Sequence, residues 1–340
     1  METKVYDNTA RMSQGMAYCA GCGIPIVFNP VLQAVHDMGY VPITHIASGC
    51  GVVGAHIFPN AGLKDSHVHI IFETAGAGGS AMRDSIEIAK DLGEIPEHHY
   101  FPVVFAGDGA TADIGIGSLS GMLARGDKVL YVCYDNAHYA NTGCQYSSTT
   151  PAGAHTTTTP LGFMPTDNYQ GKDMIKVVLA HPAIQYIGHT TITSIFPKDL
   201  ENHPEMNDIR AKARDAVACG GPSYMHVIQP CNRGWGFSPE YTVEVGNIGV
   251  RTGVIPIFHI VREGDWFVHQ HKWFLDYLPA RYEGGVVHPE INPISEWFDA
   301  QNRFKASRRD KDWVANMQRA VDWKWTGEDG LLKKCQLPRA

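Results

Sequence analysis

The sequence has no basic run and no stripe of basic residues interleaved with aromatics, and its 28 Lys and Arg face 35 Asp and Glu for a formal net charge of −7. The electrostatic footprint of a nucleic-acid binder is missing, so nucleic acid is not an expected partner. No apolar stretch approaches the length that spans a bilayer, and the polar run from Met1 to Met12 lacks the apolar segment of a signal peptide. These absences argue against a membrane partner and for a soluble, cytoplasmic protein. Eight irregularly spaced cysteines are too few for a secreted disulfide scaffold and read instead as reduced thiols or metal ligands. The 17 histidines include no H-E-x-x-H pair; His67 and His69 alternate as in a strand and His269 and His271 stand near aromatics, so all four read as packing or surface residues. There is no internal repeat, and the nearest approach to low complexity is the run Thr156 to Thr159.

What is present is a chain of 340 residues, long enough for one large α/β domain or two ordinary ones. Charged residues at 19% and 35 glycines suit a subunit that buries surface against partners, or glycine-rich cofactor loops. Apolar runs recur, each ending in a glycine-rich or polar turn. Val41 to Ala47 reads as a strand entering Ser48-Gly49-Cys50-Gly51, and His69 to Phe72 as one entering Glu73-Thr74-Ala75-Gly76, before a helical pattern through Arg83, Ile86 and Ala89. Tyr100 to Ala106 has the continuous apolar character of a buried parallel strand and ends at Gly107-Asp108-Gly109. Helical spacing follows from Ile114 to Leu123, and a second buried strand, Val129 to Tyr134, ends at Asp135-Asn136. Parallel strands end on one edge of a sheet, so Asp108 and Asn136 are expected together on the carboxyl edge, where open α/β sheets bind ligands. A later βαβ unit runs from Ala183 to Thr190, through Phe196-Pro197-Lys198-Asp199 and a helix over Ala211 to Ala218, to a strand from Ser223 to Gln229 that ends at Pro230-Cys231. The expected fold class is α/β, a mostly parallel sheet flanked by helices over residues 1–263, with an irregular C-terminal extension over 264–340 packed on the core or on a partner.

Gly107-Asp108-Gly109, then 26 residues, then Asn136 has a physical logic. A diphosphate must approach backbone N–H groups closely, which favours glycine, and its charge must be bridged by a hard cation. Mg²⁺ takes oxygen ligands in near-octahedral geometry; Asp108 and the amide oxygen of Asn136 are two, and the backbone oxygen of His138 can supply a third. Either turn alone reads as structural. The pair, each after a buried strand, points to a cofactor. Cys19-Ala20-Gly21-Cys22-Gly23 is a C-x₂-C turn, a spacing shared by zinc sites, redox dithiols and iron-sulfur ligands. No second C-x₂-C completes a zinc ribbon. Cys50 and Cys231 each follow a strand and can converge with Cys19 and Cys22 on the sheet edge, which would give the four thiolates of a [4Fe-4S] cluster. Cys133, Cys144, Cys219 and Cys335 are left over; Cys133 reads as a small core hydrophobe, and Cys144 receives no role.

Gly107-Asp108-Gly109 with Asn136 resembles the thiamine-diphosphate motif of pyruvate decarboxylases, transketolases and 2-oxoacid oxidoreductases. The stretch Tyr134-Asp135-Asn136-Ala137-His138-Tyr139-Ala140-Asn141-Thr142-Gly143 is similar to the beta subunit of 2-oxoacid:ferredoxin oxidoreductases of the pyruvate synthase type. Gln145, Ser147-Ser148, Thr150-Pro151, Gly153-Ala154, Thr156 to Pro160, Gly234-Trp235-Gly236-Phe237, Gln301 and Arg303-Phe304 extend the resemblance, which runs from about Tyr18 to Phe304. It implies a thiamine-diphosphate-binding fold with Asp108, Asn136 and the His138 carbonyl on Mg²⁺. Gly107, Gly109, Ser48, Gly49 and Thr142 are implied around the cofactor, Asn141 as the catalytic residue near the reacting carbon, and Cys19, Cys22, Cys50 and Cys231 on the cluster. It further implies oxidative decarboxylation of a 2-oxoacid to an acyl-coenzyme A, with electrons passing to ferredoxin or another acceptor. The implied partners are an alpha subunit that supplies the carboxylate against the aminopyrimidine ring, and gamma- and delta-type subunits; Glu73 is a local alternative for that carboxylate. Pyruvate is the default substrate. Gly51 to Val68 departs from the usual pyruvate-type sequence and Trp266 to Val287 looks like an aromatic-rich insertion, which keeps oxalate and phenylglyoxylate open. The competing expectations are a non-redox thiamine enzyme of decarboxylase or acetohydroxyacid synthase type, and a non-catalytic assembly subunit.

Overall fold

The first helix, α1 (Ile24–Asp37), carries Ile24, Val27, Phe28, Val31, Leu32 and Val35 at spacings of three and four, and all six are buried. Pro25 falls in its first turn, where a missing N–H costs nothing. This computed structural model describes residues 12, 16–56, 63–96, 100–162, 171–194, 207–263, 266–270, 280–283, 286–289 and 291–326. The expected turn Phe196 to Asp199 and Cys335 lie outside them. After α1 come β1 (Val41–Ala47), α2 (Cys50–His56), β2 (His67–Ile70), α3 (Ala75–Asp91), β3 (Tyr100–Gly107), α4 (Ile116–Arg125) and β4 (Leu130–Asp135). Then follow α5 (Met174–Leu179), β5 (Tyr186–Thr191), α6 (Asp208–Ala218), β6 (Ser223–Ile228), α7 (Asn232–Trp235), α8 (Thr242–Arg251), β7 (Phe258–Glu263), β8 (Trp266–Gln270), β9 (Ala280–Glu283), β10 (Val286–Pro289), α9 (Ile294–Asp299) and α10 (Lys311–Thr326). No helix among the described residues is long and apolar enough to cross a membrane.

Eight strands form one sheet in the order β2-β1-β3-β4-β6-β5-β7-β8. The six from β2 to β5 are mutually parallel; β7 runs antiparallel to β5, and β8 antiparallel to β7. Side chains of β3 divide by parity. Phe101, Val103 and Phe105 meet α1 and α6 on one face, with Phe28 and Phe105 stacked at 3.8 Å, while Val104 and Ala106 meet Leu119, Met122 and Leu123 of α4 on the other. Both faces are covered, which is why β3 and β4 read as unbroken apolar runs. A third apolar cluster joins Trp235, Val245, Val250 and Ile255 to Ile294, Trp297, Phe298, Phe304, Val321 and Trp325, so α9 and α10 pack on the segment after β6.

The strand order reverses direction between β1 and β3. From β1 the chain moves to β2 on one side, then returns to add β3, β4 and the rest on the other. Turns leaving the carboxyl ends of β1 and β3 therefore part from each other and open a crevice, the usual ligand position in open α/β sheets. Two local expectations are corrected here. Phe72 does not end a strand: β2 stops at Ile70, and Phe72–Thr74 form a 3₁₀ turn leading into α3. Cys50 and Gly51 are the opening residues of α2 rather than part of an open turn.

Candidate cofactor site

The crevice holds a cavity of about 220 Å³. Its walls are the turn after β1 (Ser48, Gly49, Cys50), the turn after β3 (Gly107, Asp108, Gly109), the loop after β4 (Asn136, His138 to Thr142), and Phe72 and Tyr134. Every residue expected at the diphosphate and cation lies in this one wall. Glu73 does not line the cavity, and its side chain is exposed.

Asp108 sits at the end of β3, buried to 1% exposure, and accepts hydrogen bonds from Ser147 and, at 3.2 Å, from Thr149. Burial, with the charge of Asp135 beside it, lifts its carboxyl to about 8. Gly109 follows because Tyr139 leaves no room for a side chain: a Cβ there would stand 2.3 Å from the Tyr139 ring. Tyr139 is in turn fixed by donating to Asp113 at 2.8 Å, and its ring lies 5.8 Å from that of Phe72.

The loop after β4 is shaped by Asp135. One carboxylate oxygen accepts from the Ala137 N–H at 2.7 Å and the Thr149 hydroxyl at 2.9 Å, and the other meets His226 Nε2 at 2.9 Å. Burial pushes the Asp135 carboxyl upward, but the hydrogen bond and charge of His226 outweigh it and hold it below the usual carboxylate value. Burial opposes the charge on His226, yet Cys133 and Asp135 raise it to about 10, so this is a buried ion pair. Ala137, whose N–H is held by Asp135, has φ 60°, a left-handed conformation, and its neighbours Asn136 and His138 both line the cavity. The Asn136 carbonyl accepts from Trp235 Nε1 at 2.7 Å, while its side-chain Oδ1 is buried with no hydrogen-bond partner. Burial and the charge of Arg303 depress His138 to about 4; its ring is neutral and packs against Gly234.

Asn141 and Thr142 are exposed to the cavity on a tight loop closed by Tyr139 N–H to the Gln145 carbonyl at 2.8 Å. Gly143 at φ 115° and Cys144 at φ 64° make the bend. Across the cavity, Ser48 Oγ lies 2.8 Å from His69 Nε2 and donates to the Ile70 carbonyl at 3.1 Å.

Of the four expected cluster ligands, Cys50 lines the cavity and the others gather behind it. The Cys19–Cys22 turn closes with a 3.0 Å backbone bond and is pinned to the chain after β6. Asn232 Nδ2 donates to the Ala20 carbonyl at 3.1 Å and Thr242 Oγ1 to that of Gly21 at 2.6 Å. Gly21 has φ 71°, and a Cβ there would stand 2.3 Å from the Pro239 carbonyl. Cys231 stands at the N-cap position of α7. Burial above all raises Cys22 to about 12, Cys50 to about 12 and Cys231 to about 11; Cys231 and Cys19 add to it at Cys22, Cys231, Cys22, Cys19 and Cys144 at Cys50, and Cys144 ahead of Cys19 at Cys231. Among the described residues no three His, Cys, Asp or Glu side chains are close enough to hold a single metal ion. A zinc ion draws four sulfurs to ~2.3 Å from one centre. Four cysteine thiols are also the donor set of a four-iron cluster, which takes one thiolate per iron.

The sequence pattern missed Asp135 as an organiser, its partner His226, and the hydroxyls of Ser147 and Thr149 around Asp108. The one available signal was an Asp directly before Asn136 at the end of a buried strand; nothing local links it to a histidine 91 positions away.

Residues 72–227 match the family model "Thiamine pyrophosphate enzyme, C-terminal TPP binding domain", so the fold and the crevice define the class of thiamine-diphosphate enzymes. The chain is 35% identical over 319 residues to the pyruvate synthase subunit PorB of Thermotoga maritima, covering 92% of this chain and 90% of that one. It is 34% identical to the PorB subunit of Methanothermobacter marburgensis (92% and 94%) and 33% identical to the ketoisovalerate oxidoreductase subunit VorB of Pyrococcus abyssi (86% and 84%). The chain belongs to the family of 2-oxoacid:ferredoxin oxidoreductase beta subunits that includes these PorB proteins. The fold is also that of a 2-oxoglutarate:ferredoxin oxidoreductase from Magnetococcus marinus, with TM-score 0.52 and 21% identity, covering 66% of this chain and 67% of that one.

Proposed function

We propose that this chain carries thiamine diphosphate, Mg²⁺ and a [4Fe-4S] cluster in a multi-subunit enzyme that converts a 2-oxoacid and coenzyme A to an acyl-coenzyme A and CO₂. A pair of electrons leaves through the cluster towards ferredoxin or another acceptor. The observation that carries this reading is the buried, unpartnered Oδ1 of Asn136 beside the buried carboxyl of Asp108. A buried acceptor without a donor is costly, and a carboxylate lifted by burial lacks a counter-charge; one hard cation satisfies both. Asp108, Asn136 and the His138 backbone oxygen would hold it.

When bound, thiamine diphosphate supplies the electron sink for decarboxylation. The chain's own residues do the positioning. Gly107 and Gly109 let backbone N–H groups approach the diphosphate, with Ser48, Gly49 and Thr142 around it; Phe72 and Tyr139 exclude water from one wall. Asn141 presents its amide to the cavity as the residue nearest the reaction. Cys19, Cys22, Cys50 and Cys231 would hold the cluster. The exposed Glu73 favours an alpha subunit as the source of the activating carboxylate, with gamma- and delta-type subunits completing a cytoplasmic complex. Residues 264–340 would form an extension packed on a cofactor domain of 1–263, a placement supported by the packing of α9 and α10 on the segment after β6, although β8 within it joins the central sheet.

Pyruvate is the first substrate to test, with phenylglyoxylate and oxalate beside it. The anaerobically purified complex should be brown and should reduce a viologen dye only when a 2-oxoacid and coenzyme A are both supplied. Asp108→Asn should lower that rate at least 100-fold. A colourless complex that releases CO₂ and an aldehyde without reducing the dye would instead make it a non-redox decarboxylase.

A further inference from the structure

Arg303 is 5% exposed, its guanidinium stacked 3.9 Å above the ring of Trp235 and 5.0 Å from the centroid of Phe304. Its Nε donates to Gln301 Oε1 at 2.8 Å, and Gln301 is itself fully buried. Among the described residues no carboxylate lies within ion-pair distance of it. A buried cation of this kind persists only where a negative charge reaches it. Asp135 is already engaged by His226, Ala137 and Thr149, and Asp108 faces the proposed Mg²⁺. Of the groups whose negative charge acts on Arg303, Asp135 comes first, then Cys231, then Asp108; with Asp135 held by His226, the group left to face it is Cys231 once it is a cluster thiolate.

Trp235 explains the placement. Its backbone N–H donates to the Cys231 carbonyl at 2.8 Å and its indole to the Asn136 carbonyl at 2.7 Å. The ring that carries the guanidinium is thus tied at one end to a proposed cluster ligand and at the other to a proposed Mg²⁺ ligand. The planar guanidinium can stack on it while Nε keeps its hydrogen bond, which an ammonium cannot do.

We propose that Arg303, braced on Trp235, is the fixed counter-charge of the iron-sulfur cluster and sets how readily that cluster accepts an electron. The inference rests on the cluster assigned above. Four thiolates make the oxidised cluster a net anion, and reduction adds one further negative charge. A cation held nearby in a poorly polarisable interior favours the reduced form. Arg303 acts through the cluster and touches no substrate, so it is a positioning residue.

The test uses the full-length chain, reconstituted anaerobically with iron and sulfide and titrated with dithionite, one electron per cluster, under electron paramagnetic resonance. R303M should keep four irons and lower the reduced-to-oxidised ratio at a fixed potential by about tenfold, equivalent to ~59 mV for one electron. R303K should recover most of the shift. Q301E, which sets a carboxylate against the guanidinium without removing it, should lower the potential in the same direction and decides the matter if R303M takes up no iron. Potentials unchanged from wild type in the neutralised variants that hold the cluster overturn the role, leaving Arg303 a packing residue whose loss moves only the melting temperature. A wild-type chain that takes up no iron removes the cluster itself, a separate failure read from the metal content.

Discussion

Ala137 holds φ at 60°, which costs a residue with a Cβ roughly 1–2 kcal/mol. It stays there because its N–H donates to Asp135 and its carbonyl accepts from Thr150 at 2.8 Å. Relief of the strain should outweigh the extra freedom that glycine gives the unfolded chain, so Ala137→Gly is expected to stabilise the protein by about 0.5–1 kcal/mol. A rise in the urea midpoint checks this; a fall would mean the turn is unstrained. Asp127 offers a second test at this scale. Its fully buried carboxyl would be raised by burial, but hydrogen bonds from Ser80 and Arg83, with the charges of Arg83 and Arg125, hold it below its ordinary value. The unfolded chain then binds more protons in acid. The stabilisation is complete above the unfolded value of about 3.9 and is lost as pH falls through the lower folded one. Asp127→Asn should flatten the acid limb of stability against pH, and a limb as steep as wild type would reject the pairing.

Among the elements, β3 and β4 were legible because a strand covered on both faces carries its burial in its own sequence. β2 was not: it is an edge strand whose middle residues Val68 and His69 are exposed, so Phe72, which sits beside Tyr139 and packs against the core from a 3₁₀ turn, looked like its continuation. The cysteine turn was legible as a motif, but its anchoring was not, because Thr242 and Asn232 reach it from more than 200 positions away. A separation of 91 positions likewise hid His226 behind Asp135. Close crossings are equally silent in sequence. In α3, Gly76 faces α4 so tightly that a Cβ would lie 2.4 Å from the Ser118 carbonyl. Helix propensity alone says Gly76→Ala gains about 1 kcal/mol; the crossing says it loses about 1–3 kcal/mol. Thermal melts decide by sign, and a stabilised variant would mean that α3 and α4 do not meet here as described.

For the whole molecule, the reversal of strand order between β1 and β3 opens one crevice, and that crevice collects the turns after β1, β3 and β4. Family membership and the class of cofactor follow from that topology together with the Gly-Asp-Gly and Asp-Asn turns. Choice of 2-oxoacid does not, since the cavity described is walled on this chain by glycines, a few aromatics and the loop of Asn141. The claim on which the rest depends is that Asp108 and Asn136 await a cation that joins them to a diphosphate. Calorimetric titration of thiamine diphosphate into metal-stripped protein tests it directly, with and without Mg²⁺, for wild type and Asn136→Leu. The leucine is close in size and removes the unpartnered acceptor, so it should leave the melting temperature undiminished while abolishing Mg²⁺-dependent binding. Thiamine diphosphate binding as tightly in chelator as in Mg²⁺, or as tightly to Asn136→Leu as to wild type, would contradict the account.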